Sequence, residues 1–96
     1  MKGSLGMVLE EIIVWSHSDN KHQYSLDPNI LFPESKIQQL VLKKHTGSKY
    51  PKMNITMSLK IHDVWFSSNI MPLYKVFDFI VKQYIIHHKE EFNNEF

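Results

Sequence analysis

The amino-acid sequence predicts an α+β domain: a small antiparallel sheet of about three strands with a long C-terminal helix packed across it. Three observations carry that expectation. "MNITMSLKIH", residues 53 to 62, alternates strictly, with Met53, Ile55, Met57, Leu59 and Ile61 on one side and polar residues on the other. Such alternation suits a strand with one dry face and one wet face. "PLYKVFDFIVKQYIIHHKEEF", residues 72 to 92, repeats its apolar residues at a helical period. Elsewhere, short apolar stretches are separated by Asp, Asn, Gly and Pro, the residues of tight connections. A chain of 96 residues falls within the usual size of one domain, about 50–250 residues. Residues 1–96 are therefore expected to form a single unit, with 1–6 and 93–96 frayed.

Taken in chain order, "VLEEIIVWS" at 8–16 favours a strand through the β-branching and aromatic content of Ile12, Ile13, Val14 and Trp15. Leu5, Leu9, Ile12 and Ser16 also have helical spacing, so a helical N-terminus is the alternative. "SHSDNKH" reads as a polar turn. "HQYSLD" at 22–27 places Tyr24 and Leu26 on one face of a short strand that pairs back on the first.

"FPESKIQQLVLKKHTG" predicts a short helix between the second and third strands. Pro33 suits a first helical turn, Ser35 and Gln38 fit a capping box, and Ile37, Leu40 and Val41 recur at i, i+3, i+4. Lys43, Lys44 and His45 then fall in the last turn, where cations oppose the negative helix end. Gly47 sits where a C-cap residue belongs.

The alternation of 53–62 changes phase at Asp63, because Val64 and Phe66 lie on the formerly polar parity. A straight strand over 53–66 would span roughly 46 Å at ~3.3 Å per residue. A break or bulge is expected near His62–Asp63. In the long helix, Ser67, Ser68 and Asn69 are candidate caps. An arc running from Leu73, Tyr74, Val76 and Phe77 to Ile80, Val81, Tyr84 and Ile85 covers about half the circumference. Lys75, Asp78, Lys82 and Lys89 form a polar stripe, and Phe79 and Ile86 lie beyond it, outside the main apolar arc.

Composition narrows the function. Hydrophobic residues make up 43% of the chain and aromatics 12%, enough for a modest core. The formal net charge is only +1, which argues against a global pull toward nucleic acid or an anionic membrane. Without Cys there is no disulfide framework, thiolate metal site or cysteine nucleophile. Its lack fits a reducing compartment, so a cytoplasmic location is expected, the host cytoplasm if the chain is viral. Arg, the residue suited to bidentate phosphate and guanine recognition, is also missing. So is Ala, and the excess of Lys, Asn, Ile and Phe points to an AT-rich genome: a low-GC bacterium, its phages or plasmids, or certain viruses and protozoa. Glu10 and Glu11 interrupt any signal-peptide core. Lys75, Asp78 and Lys82 interrupt the most apolar window, so no membrane span is expected.

Few residues are arranged for chemistry. His17, Asp19 and His22 share one loop but match no familiar metal-ligand spacing, so a solvated turn with neither metal nor cofactor is expected. His87 and His88 are adjacent and on a helix point about 100° apart. His62 and Asp63 form a candidate catalytic pair only if a bulge re-aims them. Gly3, Gly6 and Gly47 make no phosphate-binding loop.

The functional expectation is non-catalytic protein binding. Phe79 and Ile86, at i, i+7, would anchor a partner on the outer face of the C-terminal helix, with Lys82 and Gln83 beside them. That partner is a host protein or a second copy of the chain. Given the genome type, a phage- or mobile-element-encoded inhibitor of a host defence or replication protein is the specific form expected. The alternative is a nucleic-acid accessory protein using Lys43, Lys44, Lys49, Lys52 and Tyr50. A small hydrolase or metal-dependent enzyme is third.

Overall fold

A computed structural model describes residues 2–45 and 53–90. The elements run α1 (Lys2–Ser16), β1 (Gln23–Leu26), α2 (Pro28–Leu31), β2 (Ile37–Lys44), β3 (Asn54–Ile61), β4 (Val64–Ser67), β5 (Met71–Pro72) and α3 (Leu73–His87). The chain is α+β, as its sequence predicts. The sheet is antiparallel throughout, in the order β1-β2-β3-β4, with β5 pairing β3 further along the same edge as β4. It therefore has more strands than the three expected.

Alternation along the strands sorts side chains to two faces. Tyr24 opposes Leu42, which opposes Met57, while Leu26 opposes Leu40, which opposes Leu59. This face carries the core, into which Ile12 and Trp15 of α1, Leu31 of α2, and Leu73, Val76, Ile80 and Tyr84 of α3 are buried. All three helices thus cover one side. The molecule's shortest dimension is 20 Å, that of one helical layer on one sheet.

Two elements differ from expectation. Residues 8–16 are helical, not extended, and residues 2–6, expected to fray, form the start of the same helix. Val8, Ile12 and Trp15 lie on one helical face and are all buried. Burying three such side chains gains about 1.5–3 kcal/mol each, which outweighs helix-propensity deficits of at most ~0.7 kcal/mol per residue. The second difference is the segment predicted as a helix with its last turn at Lys43–His45, which is β2, an inner strand paired with β1 and β3. Leu40 and Leu42 alternate onto the core face, whereas a helix would have offered only a three-residue apolar stripe. The short helix that does precede β2 is α2, capped by Asp27, whose carboxylate accepts from Asn29 N at 3.0 Å.

Several polar contacts fix the layers. Lys44 Nζ donates to the carbonyls of Trp15 (3.0 Å) and Ser18 (2.6 Å) and lies 5.0 Å from the centroid of the Trp15 ring. It therefore serves a helix C-terminus, but that of α1 across the core rather than its own. Tyr24 Oη donates to Glu11 Oε1 at 2.8 Å, tying α1 to β1. Burial, then that bond and the Glu11 charge, push the phenol well above its usual range. At the opposite end, His88 Nε2 donates to the Ile30 carbonyl at 2.8 Å and holds α3 to α2.

The break expected near His62–Asp63 is present, and it takes the form of a turn. Both residues have positive φ, 51° and 63°, the geometry of a type I′ hairpin. Gln38, the extra residue at a register shift between Ile37 and Gln39, spans the turn. Its Oε1 accepts from Asp63 N at 2.7 Å and its Nε2 donates to Asp63 Oδ1 at 3.2 Å.

Replacing Lys44 with Gln should lower stability by about 1.5–3 kcal/mol, the range for hydrogen bonds to charged groups. Lys43→Gln, on the opposite face of the same strand, should change it by less than ~0.5 kcal/mol. Urea denaturation followed by circular dichroism separates the two.

Candidate functional site

Exposed apolar side chains occur on α1 (Met7, Ile13, Val14) and α3 (Tyr74, Ile85, Ile86), but three in succession lie on one hairpin edge, Val64 to Phe66. Every residue of β4 is exposed. Val64 is 52% exposed, Trp65 47%, Phe66 55% and the following Ile70 60%. The cause is topological. Phe66 opposes Leu59 and Val64 opposes Ile61, so both face the helical side, yet α3 lies over β3 and β5 and leaves them bare. Trp65 and Ser67 point to the other face, opposite Lys60 and Ser58. The stretch 64–70 carries no charge at all.

The backbone of β4 is equally available, because β4 is the last strand of the sheet. Ser68 N donates to Met57 O at 2.8 Å. Since ladder bonds alternate along an antiparallel pair, Val64 and Phe66 also bond inward to β3. Trp65 and Ser67 thereby direct their N–H and C=O groups outward. Beyond Ser68 the edge is broken: Ile55 pairs Met71, so Asn69 and Ile70 together face the single Thr56. That is a bulge, held by Ser68 Oγ, which accepts from Met57 N at 3.0 Å and donates to Asn69 O at 3.0 Å. The free edge thus runs from Val64 to Ser68, bounded by a turn and a bulge.

A second surface is the sheet face that no helix covers. Gln39, Lys60 and Trp65 form one row across it, Ser25, Val41, Ser58 and Ser67 another, and Gln23, Lys43 and Thr56 a third. Lys60 Nζ lies 5.9 Å from the Trp65 ring centroid, and Ser58 and Ser67 hydroxyls are bonded at 2.9 Å. None of these rows contains an acidic residue.

The residues singled out by sequence are dispersed. Phe79 is not on an outer face: it is half-buried against the core, 6.2 Å between ring centroids from Phe32. The α2 segment covers that flank of α3. Ile86 is on the outer side, 52% exposed, with Lys82 exposed and Gln83 half-buried. Tyr74 and Ile85, placed on the main apolar arc by spacing, are 58% and 43% exposed. Lys43 is on the open sheet face and Lys44 on the core face, so the two cannot grip one ligand. Lys49, Tyr50 and Lys52 lie outside the described residues. His62 and Asp63 are both exposed, and the Asp63 carboxylate is held by Gln38 rather than by its histidine neighbour. Among the described residues no group of three or more His, Asp or Glu is placed to hold a metal ion. No helix among them is long and apolar enough to cross a membrane.

Trp65 and Phe66, the centre of the exposed edge, are what sequence reading missed as a site. The phase change at Asp63 was the available signal. In a two-residue hairpin the residues flanking the turn share a face, so parity inverts there. The chain matches no family model, no curated protein and no solved structure.

Phe79→Ser should destabilise by about 1–3 kcal/mol, below the 3–5 kcal/mol of a fully buried Phe site, whereas Ile86→Ser should stay within ~0.5 kcal/mol. Denaturation midpoints of the two single variants decide which residue is available to a partner.

Proposed function

We propose that the chain is a non-catalytic protein-binding module that takes an extended segment of its partner against the free edge of β4. One observation carries this reading: an uncharged apolar edge strand whose outward backbone groups pair with no described residue. Natural sheets usually blunt such edges with Lys, Pro or a covering element, because they template pairing with other chains. Here the bulge limits the edge but no described residue covers it between Val64 and Ser68. Main-chain bonds would supply affinity, and the alternating Val64, Phe66 and Trp65 side chains selectivity. The AT-rich coding signature suits a phage or mobile element, so the partner class proposed is a host protein, with inhibition as the effect of occupying it. A photo-cross-linking residue at position 66, compared with one at exposed position 75, tests this in cells of the native source. A discrete adduct at 66 and none at 75 is expected; no adduct at 66, or the same adducts at both, overturns it.

The open sheet face favours a second reading. Lys60 beside exposed Trp65, with Lys43 two rows away on the same face and no carboxylate in the rows between them, is a surface on which a single-stranded nucleic acid can stack. With one aromatic and two cations this contact should be weak. Any mobility shift should appear only at low salt and vanish in Lys43→Gln/Lys60→Gln.

A further inference from the structure

We infer that, when no host segment occupies it, the β4 edge pairs with β4 of a second copy, joined antiparallel about a two-fold axis through Phe66. The inference rests on the edge-pairing reading above and adds a second occupant of the same edge, one that a host segment would displace. The available edge runs from Val64 to Ser68, because the type I′ turn at His62–Asp63 closes one end and the Asn69–Ile70 bulge closes the other. Its midpoint is Phe66.

Register follows from the backbone. With Phe66 opposite its symmetry mate, Trp65 of each copy faces Ser67 of the other. All outward N–H and C=O groups of both residues are then satisfied, by four bonds across the joint. Shifting the centre to Trp65 sets Ser67 against Asp63, in the turn at positive φ. Shifting it to Ser67 sets Trp65 against Asn69, in the bulge. One register alone uses the whole edge. It also suits the side chains: Phe66 meets Phe66 at a close, non-hydrogen-bonded pair on the helical face, beside Val64. No charge within 64–70 opposes the approach of two identical strands.

Area sets the strength. Trp65, Phe66, Val64 and Ile70, each about half exposed, offer on the order of 400 Å² per copy, against ~800 Å² per partner in a standard stable interface. The dimer is therefore weak, half-dissociated at roughly 10–100 µM.

The chain contains no cysteine, so single introduced thiols report register without background. The antiparallel pair at position 66 would bring its Cα atoms to ~4.5 Å, within disulfide reach, whereas 65 to 65 and 67 to 67 are diagonals of ~7–8 Å. Under air oxidation at about 200 µM, Phe66→Cys should form covalent dimer at least ~10-fold faster than Trp65→Cys or Ser67→Cys. Sedimentation equilibrium of the unmodified chain should show mass rising toward twice the monomer over the same range. Ser67→Pro, which deletes one outward N–H and leaves the β3 ladder intact, should remain folded and monomeric. A monomer at all concentrations up to ~1 mM, or equal oxidation rates at the three positions, overturns the inference. If the chain is monomeric while position 66 still cross-links another protein, only this inference fails; if it dimerises through position 66 but cross-links no other protein, only the host-protein reading fails; if it is monomeric and gives no adduct at 66, both fail.

Discussion

Leu40 and Leu42 stand on the same face of β2, a strand paired on both edges, and the rest of the structure is arranged around that face. Each is almost wholly buried, and each extends a cross-strand row from β1 to β3 that forms the floor of the core. A floor with one apolar side can recruit helices on that side only. α1, α2 and α3 all pack there, and the opposite face stays polar. Helical cover is also finite. α3, 15 residues long, enters from β5 and runs across β3 to meet α2, and β4 is left beyond its reach. The bare hairpin is thus a consequence of how one strand's side chains sort the chain into two layers.

What the sequence disclosed of this fold depended on whether the signal was local. β3 and α3 were legible because each repeats its own period over many residues, and burial follows that repeat at Ile55, Met57, Val76, Ile80 and Tyr84. β2 was hidden for three reasons. Its buried alternation is only Leu40 and Leu42 before Lys44 takes the next inward position. The extra residue Gln38 shifts its register at the start. Its stability comes from neighbours distant in sequence. α1 was hidden differently: its β-branched and aromatic residues carry a strand preference that docking of Val8, Ile12 and Trp15 overrides.

The same distinction governs the candidate site. Helical spacing set Phe79 outside the apolar arc, and nothing near it in sequence reveals that Phe32, from another element, closes over it. Lys43 and Lys44 read as one cationic cluster because they are adjacent. On a strand, adjacency places them on opposite faces, and Lys44 turns inward to the end of α1. Val64 and Phe66 did leave a trace, the inverted parity after Asp63, but that inversion announces a hairpin and not whether a helix will cover it.

The bulge at Asn69–Ile70 has a consequence for solubility. "VWFSSNI" combines β-forming side chains with no charge and no proline over seven residues, the composition of segments that stack into cross-β fibrils, which need six or seven residues in register. By turning Asn69 and Ile70 out of the ladder, the bulge cuts the flat run short of that length. One surplus residue opposite Thr56 thus holds the flat edge to five residues, Val64 to Ser68, short of the six or seven that such stacking needs.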